Sequence, residues 1–155
     1  MPKVSIVMPS LNVAAYVREC MESVIRQTLK DIEILCVDAG STDGTWEILR
    51  KYADKDKRIK LIHSEKKSYG HQMNLGIREA TGSYIGIVET DDYILPKMYE
   101  RLYTYALDND ADFVKSDYYA FTTLDNNQKL LLKCSHKRQY DTPLTKDTYT
   151  YSARL

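Results

Sequence analysis

Short apolar runs alternate with segments of helical periodicity along most of the chain. Four runs have the length and the β-branched content of buried strands. They lie at residues 4–8, 32–37, 59–63 and 83–88. Between them, apolar residues recur every three or four positions, as in the stripe that runs from Val17 to Ile25. Strands that alternate with helices in this way predict an α/β fold, with a mostly parallel sheet flanked by helices.

The pattern also predicts where the later elements begin and end. Gly82 is expected to end the third helix, and Pro96 is expected to be the first residue of the fourth. A fifth strand is predicted over residues 111–115, and 130–132 is a candidate for one more short strand. The periodicity weakens after Phe121. We therefore predict a single domain with its core at residues 1–121, and a further region at 122–155 that is shortened or partly disordered.

Composition narrows the classes of function. Lys plus Arg and Asp plus Glu both number 22, so the net charge of zero argues against nucleic-acid binding. The three cysteines are widely spaced and form no C-x-x-C pair, which favours a reducing compartment. The sequence shows neither a leader peptide nor a membrane-spanning run, so it predicts a cytoplasmic protein.

One basic stretch leaves room for a membrane contact. It carries four cations and no acid between residues 127 and 138, namely Lys129, Lys133, Lys137 and Arg138. A solvated face is the favoured interpretation of such a stretch. Peripheral association with the inner face of the membrane, or contact with an acceptor, is the alternative.

Polar residues follow four of the predicted strands, where ligands bind in open parallel sheets. These loops cover residues 9–12, 38–44, 68–74 and 89–92. The last contains Glu89, Asp91 and Asp92, three carboxylates that repel one another unless a cation lies between them. Hard cations such as Mg²⁺ or Mn²⁺ prefer these oxygens, although acids are also common at the start of a helix.

The other loops are less specific. Asp38 stands where it can accept hydrogen bonds from a base or ribose, but a turn aspartate is the commoner case. Residues 41–44 are expected to cap the following helix rather than to act in catalysis. His71 is a candidate base, although a half-exposed structural histidine is more common.

Together the four loops resemble the family 2 glycosyltransferases. That family carries P-x-x-N after its first strand, V-D-D-G-S-x-D-G-T at the second, then G-x-x-x-x-N-x-G-I and D-x-D-D. The matching stretches are 4–12, 37–45, 70–77 and 87–92, in the same order, and the agreement extends over roughly residues 3–120. The resemblance implies a GT-A fold, which is a Rossmann-like α/β sandwich. It also implies that residues 1–121 are the nucleotide-sugar-binding core and that 122–155 are the start of the acceptor-side region, truncated or partly disordered.

The resemblance also implies an activity, namely transfer of a sugar from a nucleotide-diphosphate donor, with UDP the expected nucleotide, to a saccharide or lipid-linked acceptor. The expected mechanism is metal-dependent and inverting, and the expected pathway is polysaccharide biosynthesis. The metal, Mg²⁺ or Mn²⁺, would be bound by Asp91 and Asp92. The donor-binding residues implied are Pro9, Ser10, Leu11, Asn12, Asp38, Gly70, Asn74, Glu89, Thr90 and Asp91.

This chain departs from the family pattern at three motif positions. Ala39 replaces the second acid of V-D-D-G-S, and Glu89 replaces the first aspartate of D-x-D-D. Met73 stands where many relatives have arginine, so neutralisation of the phosphates would depend more on the metal. The aspartates after Asp112 lie in no recognisable motif, which leaves the general base unassigned. They are Asp117, Asp125, Asp141 and Asp147.

Two alternatives follow from these departures and from the fold class. A non-catalytic nucleotide-sugar-binding fragment, lacking its general base, is the stronger one. A receiver-type signalling domain is the weaker, because it needs acidic residues after the first strand, where this chain has Pro9 to Asn12.

Overall fold

The computed structural model of the chain describes residues 1–121 and 129–132. It divides into two compact units, Met1–Tyr103 and Thr104–Leu155. The first unit contains a four-stranded sheet in the order β3-β2-β1-β4, in which every neighbouring pair is parallel. Its strands are β1 (Val4–Ser10), β2 (Ile32–Asp38), β3 (Ile59–His63) and β4 (Tyr84–Ile87). The predicted α/β fold with a parallel sheet is therefore confirmed.

Four helices accompany the strands of the described residues. They are α1 (Val17–Ile25), α2 (Thr45–Ala53), α3 (Tyr69–Glu79) and α4 (Met98–Asp108). Two predicted boundaries were wrong. Helix α3 ends at Glu79, before Gly82, whose small size serves packing instead: an added Cβ would lie 2.7 Å from the Ser5 backbone nitrogen. Helix α4 begins two residues after Pro96.

The predicted fifth strand at 111–115 was also wrong. These residues form neither helix nor strand, and Phe113 is 70% exposed. A strand appears later, at β5 (Tyr118–Phe121), and pairs antiparallel with β6 (Lys129–Leu132). The short strand predicted over 130–132 is thus confirmed. The other residues after Phe121, with most of the predicted 122–155 region, lie outside the described residues.

Strands β1 and β2 are buried along their whole lengths because helices cover both faces of the sheet. Alternate residues point to opposite faces. Ile6 and Met8 pack in the cluster that includes α1 and α2 residues, whereas Val7 packs with Met73 of α3. Helix α3 lies so close to β1 that a Cβ at Gly76 would approach Val7 Cγ1 to 2.3 Å. No helix in the described part of the chain is long and apolar enough to cross a membrane.

A buried carboxylate ties the amino ends of the strands to the turn after α3. Glu33 Oε1 accepts hydrogen bonds from Ser5 Oγ at 2.6 Å, from the Thr81 backbone N–H at 2.6 Å and from Thr81 Oγ1 at 2.8 Å. Its Oε2 accepts from Lys60 Nζ at 2.8 Å. Burial alone would raise the pKa of Glu33, but the hydrogen bonds from Lys60, Ser5 and Thr81 outweigh it and lower the pKa to about 2.

This network predicts an acid-sensitive contribution to stability. Because the pKa of Glu33 is lowered on folding, its contribution is present above the unfolded-state pKa of about 4.3 and is lost as the pH falls toward 2. We expect Glu33→Gln to lower the free energy of unfolding by roughly 1–3 kcal/mol at pH 7, and by less at pH 3. Urea unfolding at both pH values measures the difference.

Glu47, an exposed residue of α2, provides the control. Glu47→Gln should change the free energy of unfolding by less than about 0.5 kcal/mol. If Glu33→Gln were as stable as the wild type at pH 7, the network would not stabilise the fold.

Candidate functional site

A pocket of about 230 Å³ lies at the carboxyl ends of β1 and β4, beside the start of α3. Its lining combines apolar, hydroxyl and charged side chains. The lining residues are Pro9, Ser10, Leu11, Val13, Lys67, Ser68, Tyr69, Gln72, Glu89, Thr90 and Asp91. The pocket therefore offers an apolar wall and an aromatic ring near carboxylates and one lysine, which suits a ligand with both a planar ring and charged groups.

Six of the ten donor-binding residues predicted from the sequence line this one pocket. They are Pro9, Ser10, Leu11, Glu89, Thr90 and Asp91. They come from two loops about 80 positions apart in the sequence, joined directly by a hydrogen bond of 2.7 Å from Thr90 Oγ1 to the Pro9 carbonyl. The structure thus brings the first and fourth predicted loops together.

The back of the pocket is fixed by Gln72, which the sequence prediction missed. Its Nε2 donates to the carbonyl oxygens of Ser10 and Val37, both at 2.7 Å, and the residue is 4% exposed. The Ser10 carbonyl also accepts from the Ala39 backbone N–H at 3.0 Å. A signal was available in the sequence, because Gln72 is a polar residue beside Met73 on the buried stripe of its helix.

The acidic turn does not bring its three carboxylates together around one point. Glu89 Oε1 accepts a hydrogen bond from the Tyr69 hydroxyl at 2.5 Å. This bond, followed by burial, raises the pKa of Tyr69 to about 12. Asp91 is exposed and lines the pocket, and burial followed by the charge of Asp91 raises the pKa of Asp92. Each carboxylate therefore has a different environment.

The negative charge of the turn also acts on helix α1. Cys20 Sγ donates to the Glu89 carbonyl at 3.4 Å. Burial, and then the charges of Asp92, Asp91 and Glu89, raise the pKa of this thiol to about 12. Cys20 is therefore an uncharged packing residue rather than a nucleophile.

The donor set fits a divalent cation only in part. Among the described residues, no group of three or more His, Cys, Asp or Glu side chains is arranged to hold a metal. The expectation that Glu89, Asp91 and Asp92 all share one ion is thus not met. Mg²⁺, however, is commonly bound by one or two carboxylates together with substrate phosphates. Asp91 and Asp92 can provide the carboxylates. The helix-start alternative is disfavoured, because α4 begins six residues after Asp92.

Asp38 and Asn12 do not line the pocket. Asp38 is 1% exposed, and its Oδ2 accepts from the backbone N–H groups of Gly40 and Ser41 at 3.0 and 2.9 Å. Asn12 has a φ of +54°, and its Oδ1 accepts from the Thr42 backbone N–H at 2.9 Å. Asparagine tolerates this left-handed conformation better than most residues do. Both side chains are engaged in loop structure, as the turn interpretation of Asp38 expected.

The remaining predicted residues lie on α3, outside the pocket lining. Gly70 is in the first turn, and no atom would lie within 4 Å of an added Cβ. Asn74 is exposed in the next turn. His71 is half-buried, and its backbone N–H donates to Ser68 Oγ at 3.4 Å, which caps the helix.

The sequence is similar to those of known glycosyltransferases. The sequence model of glycosyl transferase family 2 matches residues 5–153. An uncharacterized glycosyltransferase of Bacillus subtilis (strain 168), EpsJ, is 42% identical over 118 residues, which are 76% of this chain and 34% of EpsJ. Glycosyltransferase GlyG of Streptococcus pneumoniae serotype 4 is 40% identical over 125 residues, or 80% of this chain and 42% of GlyG. The chain thus spans between a third and a half of the length of these relatives.

Solved structures show the same fold. Residues 1–349 of S. aureus TarS, in complex with UDP-GlcNAc, superpose with a TM-score of 0.65 at 28% identity, covering 70% of this chain and 32% of that 1–349 chain. The mannosyltransferase PcManGT of Pyrobaculum calidifontis, in complex with GDP-Man and Mn²⁺, gives a TM-score of 0.55 at 28% identity, covering 59% of this chain and 28% of that protein.

The position of Gln72 predicts its energetic role. Gln72→Leu removes one hydrogen-bond donor from each of two carbonyls. The Ser10 carbonyl keeps the bond from Ala39 N–H, and the Val37 carbonyl keeps the bond from Ser10 Oγ at 3.4 Å. We therefore expect a loss of roughly 1–3 kcal/mol in the free energy of unfolding, measured in urea, rather than complete unfolding. Stability equal to that of the wild type would show that the two bonds from Gln72 contribute nothing.

Proposed function

Since the chain belongs to glycosyl transferase family 2, we propose that its pocket binds a nucleotide-diphosphate sugar and that the protein transfers the sugar to a saccharide or lipid-linked acceptor. The observation that carries the proposal is the convergence of the Pro9 loop and the acidic turn on one pocket. Such convergence at the carboxyl edge of a parallel sheet is where this architecture binds ligands. Family membership also excludes the receiver-type alternative.

The lining suggests a role for each part of the pocket. Pro9, Leu11 and the Tyr69 ring offer apolar surface to a base, and Ser10 and Thr90 offer polar groups nearby. A uridine diphosphate donor is supported by the TarS complex with UDP-GlcNAc. Lys67 lines the same pocket and supplies a cation for the diphosphate, which compensates in part for Met73 at the position where many relatives have arginine.

Asp91, with Asp92 beside it, is the proposed holder of Mg²⁺ or Mn²⁺. PcManGT was solved with GDP-Man and Mn²⁺, which supports divalent-metal dependence. A bound divalent cation supplies Lewis-acid stabilisation of a diphosphate leaving group. Asp91 contributes the exposed carboxylate within the pocket. Partial burial and the charge of Asp91 raise the pKa of Asp92, so a positive charge nearby would favour its ionised form.

The proposed transfer is a direct displacement. The acceptor hydroxyl oxygen forms a bond to the anomeric carbon while the bond to the diphosphate breaks, which inverts that carbon, and the hydroxyl proton passes to a base. Of the aspartates considered for this base, Asp125, Asp141 and Asp147 lie outside the described residues. A role in polysaccharide biosynthesis, in the cytoplasm or at the inner face of the membrane, remains a prediction from the sequence.

Nucleotide binding can be tested by thermal unfolding with UDP, GDP or CDP, each with and without Mn²⁺. A ligand at 100 times its Kd stabilises the native state by about 2.7 kcal/mol, which corresponds to a rise in Tm of roughly 5–10 °C for a chain of this size. We expect one nucleotide, UDP, to produce this rise with Mn²⁺. Asp91→Ala should abolish the metal-dependent part of it.

Asp54→Ala is the matched control, because Asp54 is an exposed aspartate at the end of α2 that does not line the pocket. It should retain the full rise. The proposal fails if none of the three nucleotides changes the Tm of the wild type, and its metal component fails if UDP stabilises equally without Mn²⁺. Release of UDP from UDP-sugars in the presence of acceptors then separates a transferase from a protein that only binds the donor.

A further inference from the structure

Three successive backbone amides after β1 donate to two side chains of the loop after β2 and to the first side chain of α2. Asn12 N–H donates to Ser41 Oγ, Val13 N–H to Thr45 Oγ1 and Ala14 N–H to Asp43 Oδ2, each at 2.9 Å. The partners are 29 to 32 positions apart in the sequence. We call these three bonds the clasp. The only local counterpart among these side chains is the bond at 3.0 Å from Thr45 N–H to Asp43 Oδ1, and the N-cap residue of α2 is Gly44, which makes no side-chain cap bond, so the expected capping by residues 41–44 does not account for the three long-range bonds.

Two aspartates fix the direction of the hydroxyl groups in the clasp. Ser41 Oγ donates to Asp38 Oδ1 at 2.5 Å, and Thr45 Oγ1 donates to Asp43 Oδ1 at 2.6 Å. A hydroxyl has a single hydrogen, so one that has given it to a carboxylate can only accept further bonds. The carboxylates therefore turn both hydroxyls into acceptors for the backbone amides of the first loop. Asn12 Oδ1 adds a bond in the opposite direction, from Thr42 N–H at 2.9 Å.

The clasp holds one wall of the pocket. Its first bond is made by Asn12, directly after Leu11, and its second by Val13. The side chains of Leu11 and Val13 line the pocket. The same stretch of chain is anchored at its other end, where the carbonyls of Pro9 and Ser10 accept bonds from Thr90 and Gln72. The backbone from Pro9 to Ala14 is thus tied to its neighbours at nearly every residue.

We infer that the clasp positions the Leu11–Val13 wall, so that Asp38, Asp43 and Thr45 set the affinity for the nucleotide without touching it. Thr45 is fully buried and Asp38 is 1% exposed, and neither they nor Asp43 line the pocket. They are positioning residues. The inference rests on the proposed function, and it gives Asp38 an indirect role in place of the direct contact that the resemblance implied.

Thr45 permits a test with two closely matched variants. Thr45→Val replaces the hydroxyl by a methyl group, whereas Thr45→Ser keeps the hydroxyl and removes a methyl group. We expect Thr45→Val to raise the Kd for UDP with Mn²⁺ by roughly three- to tenfold, the range that one lost hydrogen bond produces. Thr45→Ser should remain within about twofold of the wild type. Isothermal titration calorimetry, well below the Tm of every variant, separates affinity from stability.

Asp43→Asn provides an independent variant at an exposed position, in case Thr45→Val does not fold. Its amide nitrogen cannot accept from Ala14 N–H, so we expect a similar rise in Kd. Asp56→Asn is the control, since Asp56 accepts bonds from Arg58 in the loop after α2, away from the pocket. It should lower the Tm without changing the Kd.

The outcomes separate this inference from the proposed function. Failure of the wild type to bind any of UDP, GDP and CDP would overturn the proposed function. Wild-type affinity in folded Thr45→Val or Asp43→Asn, with UDP bound normally by the wild type, would overturn the clasp inference alone. An equal rise in Kd for Asp56→Asn would also overturn it, because the effect would then follow stability rather than the position of the wall.

Discussion

The hydrogen bonding at the carboxyl end of β1 is the constraint on which the site depends. A parallel strand that ends inside a sheet leaves backbone groups that must find partners, because burying them unpaired is costly. Here the Pro9 carbonyl accepts from Thr90, and the Ser10 carbonyl accepts from Ala39 and Gln72. Each of these donors belongs to a different segment. The bonds that satisfy β1 therefore hold the start of α3 and the acidic turn at the pocket, and they hold the loop after β2 against the end of β1.

Some carboxylates of the first unit stabilise the fold through hydrogen bonds, whereas others are available to a ligand in the pocket. Glu33 is engaged at the amino ends of the strands, where Ser5, Thr81 and Lys60 surround it. Asp38 orients a hydroxyl within its own loop. Asp91 differs, since it is exposed in the pocket. Acidic residues that look equivalent in the sequence thus have distinct roles, and the contacts around each one decide which role it has.

The elements that the sequence predicted correctly have a strong local signal. The apolar runs of β1 and β2 reflect burial on both faces, and the stripe of α1 reflects burial on one. The strand predicted at 111–115 was wrong because a short β-prone segment becomes a strand only if a partner pairs with it. Such a partner exists for β5, whose Tyr118 lies opposite Leu132 of β6.

The residues of the pocket differ in how far local sequence patterns predict them. The sequence predicted that Pro9, Leu11 and Asp91 lie near one another because parallel strand ends meet at one edge of a sheet, and in the structure all three line one pocket. Gln72 of α3 was missed because its two acceptors are backbone carbonyls of β1 and β2, which lie far from it in the sequence. The engagement of Glu89 by Tyr69 depends on a contact 20 positions away in the sequence, which no local pattern reveals.

Paramagnetic relaxation by Mn²⁺ tests the central claim most directly, because it locates the ion relative to each backbone amide. NMR spectra of the chain would be recorded with Mn²⁺ alone, with UDP alone and with both. We expect Mn²⁺ and UDP together to broaden the amide signals of residues 89–92 and of the Pro9 loop, and UDP alone to shift the signals of that loop. Broadening centred elsewhere on the protein, with the pocket signals unchanged, would contradict that claim.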